Sequence, residues 1–341
     1  MRILLMTHLF SPSIGGIETM SLLLARAFAD AGHDVRIVTT TPSGDAGHDH
    51  SLTVLRRPGP LALLHAVSWC DVCFHNNISL LFAWPALLLG KPWVVTSQTW
   101  IARVDGALGW REHLKRLLLR HAWPVAISRA IADALPVPSL IIPNSYDSAV
   151  FHHVAPAGIP RSKDLIFVGR LVSDKGAALA LLALTYLREI GLSPTLTIVG
   201  DGPERERLVS MVAENKLDAQ VVFLGPRQGA ALAREFHRHR IQLVPSRWAE
   251  PFGIVALEGA ACGCLVIGSA DGGLSDAIGP CGHTFPNGDA RKLANLLEIA
   301  LRNALPPANT LAQSRHLHRH DPSTVTAAYL DLFKGLVRDH P

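Results

Sequence analysis

Arg2-Ile3-Leu4-Leu5-Met6, a loop closed by Gly15-Gly16, a helical run over residues 17–31 stopped by Gly32, and Val35-Arg36-Ile37-Val38-Thr39-Thr40 decide the fold. The first and last stretches are short and apolar, as strands buried on both faces are, and the run between them repeats its apolar positions at helical spacing. Two such strands joined by a helix form a parallel pair, because the connection must cross back over the sheet. Outward from this unit the pattern continues, with strands expected at 71–74, 93–96, 125–127 and 140–142, ending near Pro143. After a stretch with Pro and Gly at 155–162 it restarts, with strands at 165–168, 195–199, 221–224, 241–244 and 265–267. The expected fold class is α/β. Two Rossmann-like domains, residues 1–152 and 153–323, are expected to face each other across a cleft, the usual ligand position in such sheets. A last helix within about 324–341 is expected to cross back to the first domain.

Composition narrows the function classes. The 341 residues are 48% apolar and 18% charged, which suits a packed globular protein and excludes a disordered chain. A net charge of +4 with scattered cations, and the lack of nucleic-acid-binding motifs, exclude nucleic acid as the expected partner. Five cysteines, an odd count, point to reduced thiols and a cytoplasmic setting. Cys70 and Cys73 form a CxxC, but Cys262 and Cys264 are too far along the chain to make a shared zinc site the expectation. No run approaches the ~20 apolar residues of a membrane span, and no signal-peptide core follows Met1. The longest apolar run, residues 78–89, reads as a buried helix.

The chemistry concentrates in the second half. Glu250-Pro251-Phe252-Gly253-Ile254-Val255-Ala256-Leu257-Glu258-Gly259 places two carboxylates eight residues apart across the start of a helix that is otherwise apolar or small. A buried carboxylate needs donors, and sugar or ribose hydroxyls supply them. The amides of Phe252, Gly253, Ile254 and Val255 fall where first-turn donors face an anion such as a diphosphate. Arg170 and Lys175 leave the carboxyl edge of the 165–168 strand together, a fork and a point charge suited to the same group. Gly200-Asp201-Gly202-Pro203 is a second strand-to-helix turn at that edge. Glu250 and Glu258 are badly spaced for a glycosidase pair, since eight helical residues rise ~12 Å and carboxyls flanking one bond are closer.

Taken in order, Gly15-Gly16-Ile17-Glu18, Ser128-Arg129, Ile142-Pro143-Asn144-Ser145-Tyr146-Asp147 with Phe151, Gly169-Arg170 with Lys175-Gly176, Gly200 to Pro203, and Glu250 to Gly253 with Glu258 resemble glycosyltransferase family 4 of the GT-B fold across nearly the whole chain. The resemblance implies a retaining hexosyltransferase using a nucleotide-diphosphate sugar, with no cofactor and no metal requirement. The implied acceptor is a glycan or lipid-linked glycan in cell-surface polysaccharide or lipopolysaccharide assembly. It further implies that Arg170 and Lys175 hold the diphosphate, that Glu250 contacts donor-sugar hydroxyls, that Glu258 binds the ribose, and that Gly15 and Gly16 approach phosphate or acceptor. The amides of Phe252, Gly253, Ile254 and Val255 would line the sugar and phosphate pocket, Gly202 and Asn144 would approach the ligand, and Leu224 would sit near the base.

The chain departs from the family where many members carry a His, and has Ser97-Gln98-Thr99 instead. Ser97 or Gln98 can hydrogen-bond a sugar hydroxyl, but neither titrates near neutral pH. Trp100, Arg103 and Asp105 would shape the acceptor side or serve as plain loop. Residues 110–122 form a basic amphipathic helix, with Trp110, Leu114, Leu117, Leu118 and Ala122 apolar and Arg111, Lys115, Arg116 and Arg120 charged. It either packs its apolar stripe on the sheet, the favoured reading, or rests on an anionic membrane, giving a peripheral site on the inner face of the cell membrane. The patches His237/His239 and His316/His318/His320 read as solvated helix faces rather than metal sites. A nucleotide-sugar epimerase and a catalytically inactive nucleotide-sugar-binding protein are the alternatives.

Overall fold

The structure, a computed structural model, describes residues 1–13, 15–42, 52–103, 106–153, 161–302 and 310–339; Asp105 and most of the 155–162 stretch lie outside them. The chain divides into two compact units, Met1–Ser145 joined by the segment from His320 onward, and Tyr146–Arg319.

The first unit is built on seven strands, β1 (Arg2–Thr7), β2 (Asp34–Thr39), β3 (Thr53–Arg56), β4 (Val72–Asn76), β5 (Trp93–Ser97), β6 (Trp123–Ala126) and β7 (Leu140–Ile141), in the order β3-β2-β1-β4-β5-β6-β7 with every pairing parallel. On one face the sheet packs against apolar residues of the helices Pro60–Trp69 and Leu80–Leu88, among them Leu63, Val67, Phe82 and Ala86. On the other, Phe28 of the helix Gly16–Asp30 and Tyr329 and Phe333 of the helix Pro322–Asp339 enclose Phe74, with ring centroids 5.0 to 6.3 Å apart. The Tyr329 hydroxyl meets Thr96 Oγ1 at 2.9 Å, which gives this buried phenol the partner it needs.

The second unit has six strands, β8 (Lys163–Val168), β9 (Leu196–Val199), β10 (Val221–Gly225), β11 (His239–Val244), β12 (Leu265–Ser269) and β13 (Gly282–Phe285), again all parallel, in the order β10-β9-β8-β11-β12-β13. Its core joins Leu165, Phe167, Ile198, Leu243 and Ile267 of the strands to Leu184, Leu187, Leu293 and Leu297 of the covering helices. The strands read from the sequence appear within a residue or two of their expected ends. β3 and β13 were not among them. Both are sheet edges with one neighbour, and neither Thr53-Val54-Leu55-Arg56 nor Gly282-His283-Thr284-Phe285 carries the apolar run that burial on both faces imposes.

Three expectations about packing need correction. The helix Leu80–Leu88 is not buried all round: Phe82, Ala83 and Ala86 face the core, while Leu81, Trp84 and Leu88 are 57, 40 and 68% exposed. The helix Trp110–Leu118 presses only the end of its apolar stripe on the core, where Leu118 and, beyond the helix, Ala122 are partly buried. None of its residues is buried, and Trp110, Leu114 and Leu117 are exposed; only in the following turn does Leu119 enter the core. The histidine patches are not solvated either, His318 excepted. His237, His239, His316 and His320 are buried, because the backbone and hydroxyl groups around them offer partners: His239 bonds to the Glu235 carbonyl and Thr197 Oγ1, and His316 Nε2 donates to the Ala277 carbonyl. Burial holds His239 down at about 4 and also lowers His237 and His316. Among the described residues no group of three or more His, Cys, Asp or Glu comes together to hold a metal, and all five cysteines are free and buried.

Candidate active site

In the second sheet the winding direction reverses between β8 and β11, which are neighbours although two strands and their helices separate them in sequence. Loops at the carboxyl ends of such a pair diverge and leave room for a ligand. The loop after β8 carries Gly169, Arg170 and Lys175, and the loop after β11 carries Ser246 and Glu250. Here Lys175 Nζ donates to Glu250 Oε1 at 2.6 Å, and Ser246 Oγ donates to the same oxygen at 2.7 Å. The Glu250 side chain is 9% exposed and that of Lys175 33%, so the pair sits at the edge of solvent, where removing one member strands the other.

The backbone fixes that pair from both sides. Gly176 turns with φ +72, and a Cβ there would run into the Pro245 carbonyl, so the loop bearing Lys175 lies flush against the end of β11. Arg247 N donates to the Asp174 carbonyl at 2.8 Å and joins the same two loops. Across from them, Glu250 forms an isolated bridge with Gly272, and Gly273 N donates to the Glu250 carbonyl at 2.7 Å. Four backbone features therefore hold one carboxylate.

The helix Ile254–Ala261 begins beside this cluster, with Gly253 as its N-cap in the left-handed region at φ +103. The amides of Ile254 and Val255 lie in its first turn, where no carbonyl of the helix can accept from them. Phe252 is buried just ahead of the cap. Gln242 of β11, fully buried, donates from Nε2 to the Val255 carbonyl at 2.8 Å and so seats this first turn on the sheet. One helical turn onward Glu258 is only partly exposed, and among the described residues its carboxylate has no hydrogen-bond partner. Burial pushes the Glu258 carboxyl up to about 7, and the nearby Asp147 charge adds to the rise. Arg170 is exposed, and its guanidinium makes no ion pair or hydrogen bond among the described residues. Gly202 lies in the turn after β9, its amide taken by Asp201 Oδ1 at 2.8 Å. Leu224, in β10 at the sheet edge, is separated from β11 by β9 and β8.

The remaining sequence-derived residues belong to the first unit. Gly15 and Gly16 open the helix after β1, with Glu18 folded back against Gly15. Gln98 and Asn144 are buried and bonded to each other, Asn144 Nδ2 to Gln98 Oε1 at 2.9 Å, and the buried Ser97 hydroxyl has no partner among the described residues. Sequence reading missed Ser246, Gln242 and the Gly272-Gly273 loop, and it named Asp147 only as part of a motif, not as a neighbour of Glu258. Ser246 stands four residues before Glu250, but nothing in that spacing says the strand before it lies beside β8.

Comparison with known proteins gives two family matches. Residues 154–316 match the family Glycosyl transferases group 1, and residues 14–147 match Glycosyltransferase Family 4. The chain is 28% identical over 333 residues to a glycogen synthase of Mycobacterium tuberculosis, covering 82% of this chain and 80% of that protein. It is 33% identical over 181 residues to a D-inositol 3-phosphate glycosyltransferase of Stackebrandtia nassauensis, covering 48% of this chain and 41% of the relative. Among solved structures it is similar to Anabaena Alr3699/HepE in complex with UDP and glucose, with a TM-score of 0.81 at 20% identity, covering 98% of this chain and all of the other.

Proposed function

The chain belongs to the family 4 glycosyltransferases of the GT-B fold, and from that premise we propose that it moves a sugar, with retained anomeric configuration, from a nucleotide-diphosphate sugar to a hydroxyl of a glycan or lipid-linked glycan in cell-surface polysaccharide assembly. The observation that carries the reading is the cluster of Lys175, Ser246 and Glu250 at the reversal point of the second sheet, next to a helix N-terminus and the unpartnered groups Arg170 and Glu258. Each group has a matching part of the donor. The Arg170 guanidinium and Lys175 ammonium meet the diphosphate, whose negative charge grows as the bond to the sugar breaks. The Ile254 and Val255 amides add the positive end of a helix.

Glu250 accepts from donor-sugar hydroxyls through the oxygen that Lys175 and Ser246 leave open, and Glu258 accepts from the ribose. The acceptor hydroxyl attacks from the side the diphosphate leaves, and the departing phosphate oxygen takes its proton. Bond breaking then runs ahead of bond making, and the protein contributes position and charge balance instead of a covalent nucleophile. Gly15 and Gly16 belong to the acceptor side.

A lipid-linked acceptor agrees with the surface of the first unit. Trp110, Leu114 and Leu117 are exposed alongside Arg111, Lys115 and Arg120, and Leu81, Trp84 and Leu88 are exposed on the helix Leu80–Leu88, whose buried residues share a core with Leu119. Apolar side chains among cations suit an anionic bilayer surface. No helix among the described residues is long and apolar enough to cross a membrane.

Incubation with a panel of nucleotide sugars and lipid-linked acceptors tests the reading. Release of free nucleotide that depends on acceptor supports transfer. An isomerised nucleotide sugar would instead identify an epimerase, and saturable binding without turnover an inactive binding protein. Co-sedimentation with anionic vesicles at low salt, lost in the Arg111→Gln, Lys115→Gln, Arg120→Gln variant, tests the membrane contact.

A further inference from the structure

Four polar side chains of the first unit form one hydrogen-bonded chain in which every donor points the same way. Asn144 Nδ2 donates to Gln98 Oε1 at 2.9 Å, Gln98 Nε2 to Asn76 Oδ1 at 2.8 Å, Asn76 Nδ2 to Ser21 Oγ at 2.7 Å, and Ser21 Oγ to the Ile17 carbonyl at 2.8 Å. The direction is forced from its end. The Ile17 carbonyl can only accept, and the other neighbour of Ser21, Thr7 Oγ1, has spent its own proton on the Leu9 carbonyl, so Ser21 must donate and must receive from Asn76. That turns the Asn76 oxygen toward Gln98 and the Gln98 oxygen toward Asn144.

All four residues are 5% exposed or less, so water does not replace these bonds, and aligned donors polarise one another. The chain ties the carboxyl ends of β4 and β5 to the first turn of the helix Gly16–Asp30. At its far end the Asn144 carbonyl accepts from His320 Nδ1 at 2.9 Å, and Ser145 Oγ donates to the His320 carbonyl at 2.8 Å. These are the two places where the backbone leaves the first unit and re-enters it. Asn77, left-handed at φ 75, presents its own oxygen to the Gln98 amide.

We propose that Gln98 is a positioning residue for sugar transfer: as donor at one end and acceptor at the other, it completes a one-way amide relay that holds the Gly15-Gly16 loop and its helix in place. The proposal rests on the acceptor-side reading of that loop. Only a carboxamide meets both demands at every pH, since a carboxyl can donate to Asn76 only while protonated and when ionised faces the Asn76 oxygen with a second acceptor.

Gln98→Glu, of the same shape, supplies the test. Relative to wild type at the same pH, its transfer rate is expected within about threefold at pH 5.5 and at least about tenfold lower at pH 8.5, with nucleotide affinity unchanged because the donor is held by the second unit. The protection of the Thr19 amide, whose N–H bonds to the Gly15 carbonyl at 3.0 Å, measured relative to intrinsic exchange at each pH, should fall over the same pH range in the variant only. Asn76→Asp, which must accept from Gln98 and donate to Ser21, should lose rate in the same direction and serves if Gln98→Glu does not fold. A rate ratio independent of pH in both variants overturns the proposal, and so does pH-dependent exchange with an unchanged rate ratio. If wild type transfers sugar from no donor, the functional reading has failed, and the exchange ratio alone decides whether Gln98 holds the helix start.

Discussion

The carboxyl edges of the two sheets are built from the same parallel architecture and carry opposite chemistry. At the second edge stand Arg170, Lys175, Glu250 and Glu258, two of them paired and two without a partner among the described residues. At the first edge the buried groups Thr7, Ser21, Asn76, Gln98 and Asn144 are neutral and nearly all bonded to one another, while a buried carboxyl beside them, Glu18, folds back against Gly15. Charges left open at an edge are suited to a charged ligand, while a closed neutral network holds a loop in place and discriminates by hydrogen bonding. The difference agrees with the proposed division of labour, donor phosphates at the second unit and a hydroxyl acceptor at the first. It also fits Gln98 standing after β5 in place of a His: a relay of carboxamides needs fixed donors and acceptors, and a side chain there that titrates near neutral pH would interrupt it.

The sharpest way to break this contrast is at the charged edge. Glu250→Gln is expected to cut turnover by about 10²–10³-fold with nucleotide affinity within several-fold, because it keeps the shape and loses the charge that orients Lys175. Lys175→Ala should weaken both turnover and nucleotide binding by about tenfold or more. Steady-state kinetics with calorimetry on the two variants would show the assignment wrong if either retained near-normal values in both.

A backbone comparison follows in size. Ala at Gly176 must adopt φ +72 and place its Cβ against the Pro245 carbonyl, which cannot yield without moving the loop that carries Ser246 and Glu250. A loss of about 2–3 kcal/mol and a melting temperature lower by about 5–10 °C are expected. Gly15 has extended backbone, and a Cβ there meets only the Glu18 carboxylate, which can swing away. Gly15→Ala should cost less than about 1 kcal/mol, and equal melting curves for the two variants would remove the distinction.

The last effect depends on pH. The folded pKa of Glu258, about 7, lies above its unfolded value near 4.3, so the favourable contribution is complete below the unfolded value and is lost as pH rises through 7. Glu258→Gln should therefore stabilise the protein by an amount that grows from pH 5 to pH 8 and reaches ~1–3 kcal/mol. His239 acts in the other direction. Its pKa near 4 lies below the unfolded value near 6.5, so stability present above 6.5 is lost as pH falls toward 4. Thermal melts between pH 5 and pH 8.5 measure the Glu258 effect, and a gain that does not vary with pH would mean the carboxyl is not withdrawn from water.

Much of this was legible in the chain. Strands buried on both faces announce themselves as apolar runs, and the restart after Pro143 separates two sheets. The edge strands β3 and β13 escaped because one-sided pairing imposes no such run. Arg170, Lys175, Glu250 and Glu258 could be named because a cation pair after a strand and carboxylates in an apolar helical stretch need an explanation. Ser246 could not, since a serine in a loop needs none. The histidines misled for a related reason: a His beside arginines looks solvated until a carbonyl from another element, such as that of Ala277 for His316, is seen to take its proton. The helix at 110–122 was read correctly as amphipathic, but hydropathy cannot say which way an apolar stripe turns.

The sequence by itself determined the α/β class, the two sheets and the charged residues of the donor side, because these follow from periodicity and from the cost of burying charge, both properties of local sequence. Only the tertiary structure decided that Lys175 and Ser246 meet on one oxygen of Glu250, 75 residues beyond Lys175, and that Gln98 is spent on Asn76 and Asn144. Those pairings depend on which strand ends become neighbours, for Lys175 and Glu250 at the point where the second sheet reverses, and that adjacency is settled by packing of the whole domain, not by any stretch of the chain within it.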